Sequence, residues 1–350
     1  MKPLLSYRSR LRLKRIALTL LCILLAAIVV VVGIVIYLER YVVYTDTEAY
    51  LSFLHDEIPT DTTLLDPGSD FPMILTGESI ERPDTDIDAP LPGEVSPDAI
   101  RGVYLSYSDL QQPEACLEAI EAVEECNTVL LQLKSNAGNF YYGSNFSTNI
   151  STSVDPDAVN ELIRTLSGKG YHLIARVAAF PDTAWALENL SSGLQLSNGA
   201  LWMDAEGYYW LNPSDMDVQQ HLCSLALELN ELGVDEIAFT GFLFPESENI
   251  AYGDLDEVGR VLALNAAAGM LIDLGAEHGF AVSFCDPIEN SPSPSADGHV
   301  LLSEVEGAQA AVAEETYRTM ISGAGSLIFL TDSRDTRFEP YGILRSVELE

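Results

Sequence analysis

From residue 100 onward, short apolar stretches alternate with longer amphipathic ones, and this alternation constrains the fold most strongly. Several apolar stretches are continuous rather than alternating with polar residues, which is typical of parallel strands buried on both faces. The six predicted strands span 102–107, 128–134, 172–180, 236–244, 280–285 and 326–331. The helices between them are predicted at 113–126, 157–167, 215–232, 254–278 and 305–322. Repeated strand–helix units of this kind predict an α/β fold.

Two α/β architectures fit this alternation, and the segment after the first strand decides between them. A doubly wound sheet that binds a nucleotide carries a glycine-rich loop at this point. No such loop follows 102–107, so we expect a TIM-type (β/α) barrel. Six strands are clear and 299–302 is a weak seventh, so the sequence leaves open whether the barrel is complete. We assign the barrel to 99–335 and a C-terminal tail to 336–350.

Ahead of the barrel, residues 16–38 form a run of 23 residues without a charged side chain. At about 1.5 Å per residue such a helix spans about 34 Å, enough for a hydrocarbon core of about 30 Å. Six basic residues and no acid lie in 1–15, which predicts a cytoplasmic N-terminal tail. We therefore expect a single-pass membrane protein with an extracytoplasmic C-terminal domain at a bacterial cell surface. A cleaved signal peptide fits less well, because its apolar run has about 7–15 residues.

The segment 39–98 connects the membrane span to the barrel. Apolar residues at helical spacing in 39–58 are compatible with a short juxtamembrane helix. The stretch 59–98 contains seven prolines and ten acidic residues but one basic residue, which predicts an extended spacer. The whole chain has 53 acidic and 18 basic residues, a net charge of −35. Such a surface repels phosphate backbones, so we expect no nucleic-acid partner.

Motifs for nucleotide, zinc-protease and serine-hydrolase chemistry are missing from the sequence. There is no GxxxxGK[ST], GxGxxG, GxSxG or HExxH, and the five histidines are scattered without an i,i+4 pair. The sequence therefore predicts neither a cofactor nor a metal site.

Residues suited to carbohydrate binding cluster at the predicted C-terminal ends of the strands, where barrel enzymes hold their chemistry. A long loop after the third strand carries aromatic side chains, and flat rings of this kind stack on pyranose faces. The alternative is that these rings only pack the loop onto the barrel rim. The candidate substrate-binding residues are Lys134, Arg176, Trp202, Trp210 and Asn212.

Five stretches together resemble the putative glycosyl hydrolase domain family, which comprises glycoside-hydrolase-like TIM barrels of bacterial surface and secreted proteins. These stretches are 101–108, 127–138, 169–182, 202–213 and 232–246. Lys134, Arg176, Trp210 and Glu246 match the family pattern. The resemblance implies a TIM barrel that acts on a carbohydrate or a cell-wall polymer.

The resemblance also implies acidic residues that this chain lacks. Family members carry aspartates at the positions of Gln132 and Thr240, and an arginine at the position of Leu243. Glycoside hydrolysis generally needs two carboxylates that flank the bond, about 5–5.5 Å apart for retention or about 6.5–9.5 Å apart for inversion. The candidate catalytic residues that remain are Glu246, Asp204 and Asp286.

Three functions are compatible with these observations. The first is a membrane-anchored, extracytoplasmic glycan-binding barrel with weak or lost catalysis. The second is an active glycosidase on cell-wall or extracellular polysaccharide, with a relocated carboxylate pair. The third is a protein-docking module of the cell envelope. A carboxylate pair facing an aromatic groove favours the second, a groove without one favours the first, and a mouth filled by its own loops favours the third.

Overall fold

The structure is a computed structural model that describes residues 42–44, 49–51, 100–145, 147–288 and 291–349. The chain divides into two units, Met1–Pro83 and Asp84–Glu350. The membrane span at 16–38 and the spacer at 59–98 lie outside the described residues, so both stay predictions.

The described part of the first unit is a short antiparallel pair of strands. Strand β1 (Val42–Tyr44) pairs with β2 (Ala49–Leu51), with Val42 opposite Leu51. The juxtamembrane helix considered for 39–58 is therefore wrong at these residues. Consecutive β-branched and aromatic residues, as in β1, fit a pleated strand better than a helix.

The second unit is built on eight parallel strands that close into a barrel. They are β3 (Arg101–Leu105), β4 (Thr128–Lys134), β5 (His172–Ala178), β6 (Glu236–Thr240), β7 (Ala281–Cys285), β8 (Val300–Ser303), β9 (Leu327–Leu330) and β10 (Gly342–Ser346). Strand β10 pairs with both β9 and β3, so no edge is left open. The predicted TIM-type barrel is confirmed.

The barrel is complete, and it contains two strands beyond the six that are clear in the sequence. The weak strand at 299–302 is β8, and the eighth strand, β10, lies within 336–350, which we had assigned to a tail. Arg101 fixes the approach to β10, because its guanidinium donates hydrogen bonds of 2.6 Å to the carbonyls of Glu339 and Tyr341. The barrel therefore extends past 335 to Ser346.

Helices surround the barrel. They are α1 (Pro113–Ala122), α2 (Pro156–Gly168), α3 (Thr183–Glu188), α4 (Met216–Leu232), α5 (Glu257–His278) and α6 (Ala310–Tyr317). The Asp155 side chain caps α2 by accepting hydrogen bonds from two backbone N–H groups, and Gly233 ends α4 in the left-handed conformation. Among the described residues, α5 is the one helix long and apolar enough to cross a membrane by length and composition. It packs against α4 and β7 as a barrel helix.

The barrel interior has an apolar middle layer. Every strand from β4 to β10 contributes one side chain to it: Leu130, Ile174, Ala238, Cys285, Leu301, Ile328 and Leu344. This layer separates the C-terminal mouth of the barrel from its N-terminal end. Polar groups therefore lie on both sides of this layer, one set at each end of the barrel.

A buried carboxylate organises the N-terminal end. Glu236, the first residue of β6, is fully buried and accepts hydrogen bonds from His172 at 2.9 Å, His299 at 2.9 Å and the Ser283 hydroxyl at 2.5 Å. Burial alone would raise the pKa of Glu236, but the two histidines outweigh it and lower this pKa to about 2. Burial acts to lower the pKa of His172, yet Glu236 and Asp235 raise it above its ordinary value. We refer to this group as the basal network.

Candidate functional site

A cavity of about 460 Å³ opens at the C-terminal mouth of the barrel. Its walls come from the ends of β4, β5 and β6, from the segment after β3, and from the aromatic loop after β5. The lining residues are Tyr107, Gln132, Lys134, Ser135, Asn136, Arg176, Pro181, Asp204, Glu206, Tyr208, Trp210, Thr240 and Gly241. This is the end of the fold at which TIM barrels carry their functional groups.

Lys134 and Asp182 form a buried ion pair under the cavity. Lys134 Nζ lies 2.7 Å from Asp182 Oδ2, both side chains are at most 1% exposed, and Nζ also donates to the Ala178 carbonyl at 2.9 Å. The pairing of β4 with β5 shifts register between Gln132 and Lys134. An irregularity of this kind re-aims side chains next to functional sites. The charge of Lys134 is therefore compensated within the protein.

His221 of α4 lies behind this ion pair. Its Nε2 is 3.9 Å from Asp182 Oδ2, and its ring packs on Trp185 at 4.9 Å between centroids. Burial lowers the pKa of His221 to about 4, the neighbouring Lys134 adds to this effect, and Asp182 opposes it. His221 is therefore neutral at neutral pH. With Asp182 and Trp185 it lines a second cavity of about 300 Å³.

Arg176 projects into the mouth from β5. It is paired in register with Gln132 of β4 and Ala238 of β6, so its strand neighbours are uncharged. Its Nη2 lies 3.7 Å from Asp286 Oδ2, and its Nε is buried without a hydrogen-bond partner among the described residues. Asp286 has a left-handed backbone with φ of 46°, and its Oδ1 accepts a hydrogen bond of 2.7 Å from the Ser303 N–H.

Trp210 forms the aromatic wall of the cavity. Its Nε1 donates a hydrogen bond of 2.7 Å to Asp204 Oδ2, while Oδ1 of Asp204 accepts from the N–H groups of Glu206 and Tyr208. The Trp202 ring meets Trp210 edge-on, at 6.3 Å between centroids. The aromatic loop therefore packs on itself and also presents the rings of Tyr208 and Trp210 to the cavity.

The part of the chain that carries these positions matches a sequence-family model. Residues 102–266 match the putative glycosyl hydrolase domain family. The match begins in β3 and ends within α5, so it includes every residue that lines the mouth cavity. It confirms the resemblance predicted over 101–246.

Solved structures with a similar fold include several glycoside hydrolases. A hypothetical protein from Ruminiclostridium thermocellum ATCC 27405 is 22% identical over 52% of this chain and 96% of its own, with a TM-score of 0.44. The glycoside hydrolase domain of PelA from Pseudomonas aeruginosa is 12% identical over 72% of this chain and 95% of its own (TM-score 0.44). An α-galactosidase from Thermus thermophilus is 14% identical over 55% of this chain and 38% of its own (TM-score 0.41). No curated protein matches the sequence. The likeness to glycosyl hydrolases therefore rests on the sequence match over residues 102–266.

The glycosyl hydrolase-like domain has uncharged side chains at two cavity positions where the resemblance implies aspartates. Gln132 and Thr240 both line the cavity. The carboxylates that line it are Asp204 and Glu206, two residues apart on one turn. Both therefore come from the same wall, whereas the hydrolysis of a glycosidic bond needs carboxylates on either side of it.

Glu246 lies outside the mouth cavity. Its exposed side chain borders a separate cleft of about 60 Å³, together with Glu257 and Arg260. The apolar run predicts a fourth strand at 236–244, but the corresponding strand β6 ends at Thr240. Gly241 follows with φ of 62°, and a Cβ there would lie 2.6 Å from the Pro181 ring, so glycine alone fits this turn. Glu246 therefore lies six residues beyond the end of β6 rather than two residues beyond a strand that ends at 244.

The candidate residues fall into two groups, those that line the mouth cavity and those that do not. Lys134, Arg176, Asp204 and Trp210 line the mouth cavity, whereas Trp202, Asn212, Asp286 and Glu246 are not among its lining residues. The side-chain oxygen of Asn212 accepts hydrogen bonds from the N–H and the hydroxyl of Ser214, in the turn before α4. The functional roles of all these residues stay predictions.

Two residues of the site were missed by the sequence analysis. Asp182, the partner of Lys134, lies at the end of the 169–182 stretch that carries the family resemblance, so its position was available as a signal. Tyr107 stacks on Tyr141 at 4.2 Å, and its hydroxyl donates to the Lys134 carbonyl at 3.0 Å. Burial raises the pKa of Tyr107 to about 12, so it stays protonated. Within 100–145, 147–288 and 291–349, no three His, Cys, Asp or Glu side chains are grouped to hold a metal ion.

Proposed function

We propose that the barrel mouth binds a glycan and that the hydrolytic activity implied by the resemblance is weak or lost. The observation that carries this proposal is the content of the mouth cavity. It combines an oriented indole ring with amide, hydroxyl and cationic side chains, and it has Gln132 and Thr240 at the two positions expected to be acidic.

The aromatic wall supports glycan binding. Trp210 has its indole N–H fixed by Asp204, so its ring orientation is set before a ligand arrives. Preorganised aromatic side chains bind with little loss of conformational entropy. Gln132, Ser135 and Asn136 supply the neutral donors and acceptors that sugar hydroxyls need.

The carboxylates support the loss of hydrolysis. A positioned general acid or base typically contributes about 10²–10⁴-fold in rate, and a nucleophile contributes further. Asp204 is occupied with the Trp210 indole and two backbone N–H groups, and Glu206 is on the same turn. A glycosidase with a relocated carboxylate pair is the alternative, and these two residues would have to supply it. The open cavity argues against a mouth filled by its own loops, the arrangement that favours a docking module.

We also propose that the domain is held at the outer face of a cell membrane by a helix at 16–38. The uncharged run and the basic residues before it support this topology. The partners that we propose are a carbohydrate or cell-wall polymer at the barrel mouth and the membrane at the helix.

A glycan array with the full-length protein tests the function. The protein is purified in a polyoxyethylene detergent, because detergents with sugar headgroups would compete for the site. Each glycan that binds is then incubated with the protein, and reducing ends are measured over time. We expect binding without turnover. Robust turnover that is abolished by Glu206→Gln, with the fold intact, would establish the glycosidase instead.

A further inference from the structure

We propose that the glycan bound at the barrel mouth carries an anionic substituent, a carboxylate or a phosphate, and that Arg176 binds it. This inference rests on the proposed glycan binding and adds the chemical class of the glycan. Its basis is the difference in how closely the two cations of the cavity are paired with carboxylates.

The two cations of the cavity differ in how well they are compensated. Lys134 has Asp182 at 2.7 Å and a carbonyl at 2.9 Å, so it needs no ligand. Arg176 has Asp286 at 3.7 Å, beyond the range of about 2.7–3.2 Å for an N–H···O hydrogen bond. Asp286 in turn uses its other oxygen to hold the backbone N–H of Ser303. Arg176 is therefore the less closely paired of the two cations, and its guanidinium can form a shorter contact with an anionic ligand.

The surroundings of Arg176 make this charge effective. Its side chain is 21% exposed, and its register partners on both neighbouring strands, Gln132 and Ala238, are uncharged. Its buried Nε has no hydrogen-bond partner among the described residues. A partly desolvated guanidinium interacts more strongly with an opposite charge than an exposed one. Its planar donors also match the oxygens of a carboxylate or a phosphate, which can accept two parallel hydrogen bonds.

The two acids that line the cavity, Asp204 and Glu206, do not pair with Arg176. Asp204 is held by the Trp210 indole and two N–H groups of its own turn, and Glu206 is exposed. Within the described residues no ion pair joins either acid to Arg176. An anionic group on a ligand could therefore approach Arg176 more closely than Asp286 does, within hydrogen-bond distance.

The net charge of −35 sets a limit on the ligand. A dense polyanion is repelled along its whole length, whereas a glycan with separated anionic substituents can place one of them at Arg176. At about 0.15 M salt the Debye length is about 8 Å, so distant surface acids are largely screened. The attraction inside the cavity is screened much less.

The experiment compares each anionic sugar with its own neutral form. Full-length protein in polyoxyethylene detergent at 0.15 M salt is titrated with trigalacturonic acid and trimannuronic acid, and with their methyl esters, by ligand-observed NMR. A third arm compares glucose 6-phosphate with glucose. We expect at least one anionic form to bind about 10-fold more tightly than its neutral form, as a charged hydrogen bond of about 1.5 kcal/mol gives. The arm that shows the preference distinguishes the carboxylate from the phosphate.

Three variants assign the preference to Arg176. Arg176→Gln should reduce it below about threefold, and Asp286→Asn should increase it, because the competing carboxylate is removed. Lys169→Gln removes an exposed cation that pairs with Glu121 and should leave the preference unchanged. If Arg176→Gln does not fold, Asp286→Asn decides, and an unchanged or smaller preference in that variant would overturn the inference.

The outcomes separate this inference from the proposed function. If the acids and their neutral forms bind equally, or if the preference survives in Arg176→Gln, the anionic class is wrong and glycan binding stands. If neither these sugars nor any array glycan binds, the proposed function fails, and this inference fails with it.

Discussion

The indole Nε1 of Trp210 donates its hydrogen bond to the Asp204 carboxylate, 2.7 Å away, and the same carboxylate closes the turn that carries it. One acid thereby fixes both a loop and the ring that the loop presents. This explains how an acidic residue in a hydrolase-like mouth can be needed for binding and still be unsuited to hydrolysis.

Asp204→Ala should weaken glycan binding because it releases the Trp210 ring. Hydrogen bonds to charged groups contribute about 1.5–3 kcal/mol, so the loop should also become less stable. We expect a lower affinity on glycan titration and a shifted tryptophan fluorescence spectrum. The matched control is Glu206→Gln on the same turn, which keeps the Asp204 contacts. Equal effects of the two substitutions would show that Asp204 does not act through Trp210.

Trp210→Ala and Trp202→Ala should differ in their effect on binding. Trp210 lines the cavity. Trp202 contacts the Trp210 ring edge-on and is not among the lining residues. An aromatic contact contributes about 0.5–1.5 kcal/mol beyond area burial, so Trp210→Ala should cost about 2- to 13-fold in affinity. Trp202→Ala should cost less. Titration of both variants with a glycan from the array measures this, and a greater loss in Trp202→Ala would move the site to the outer part of the loop.

Lys134→Met should destabilise the barrel strongly. It leaves Asp182 buried without its cation, and breaking a buried pair in this way costs about 3–5 kcal/mol. Lys169→Met removes the cation of an exposed pair with Glu121 and should change stability little. All three tryptophans of the chain are in the barrel, so their fluorescence during urea unfolding reports on this unit. Similar midpoints for the two variants would contradict the compensation that we assign to Lys134.

The basal network should make stability depend on pH in a defined window. The pKa of Glu236 is lowered from 4.5 to about 2, so its contribution is present above pH 4.5 and is lost as the pH falls towards 2. The pKa of His172 is raised above 6.5, so its contribution is complete below 6.5 and is lost as the pH rises through the raised value. The network should therefore stabilise the barrel most between about pH 4.5 and 6.5.

Glu236→Gln tests this window. We expect the difference in unfolding free energy between the unmodified protein and the variant to peak between pH 4.5 and 6.5. His221 has a lowered pKa, so its contribution is also lost as the pH falls, but it is present in both proteins and cancels in the difference. A difference that does not vary with pH would contradict the assignment of this pH dependence to Glu236 and His172.

The fold could largely be predicted from the sequence because buried parallel strands leave continuous apolar runs. Strands β3 to β7 and β9 were located in this way. Strand β10 was missed because its apolar run is short and continues into Arg345 and Ser346, which are only partly buried. What identifies it is pairing with β3, a contact between distant parts of the chain that no local pattern encodes.

The site was predicted in part, for two physical reasons. Lys134, Arg176 and Trp210 reach the cavity because strand ends and the aromatic loop were correctly placed. Glu246 was expected at the mouth because the apolar run predicted a fourth strand up to 244, whereas β6 ends at Thr240. The basal network was not predicted, although a signal was present in Glu236, an ionisable residue at the start of a strand that is otherwise apolar.

Closure of the barrel by β10 has a consequence for biogenesis. The hydrogen bond between Arg101 and Tyr341 joins residues 240 positions apart, and the first and last strands pair beside it. While the chain is being synthesised, β3 therefore has no neighbour on that side until nearly the whole domain has emerged. Exposed strand edges invite association with other chains, and folds with distant pairings form slowly. The open edge of β3 is therefore exposed to association with other chains until β10 has been synthesised and pairs with it.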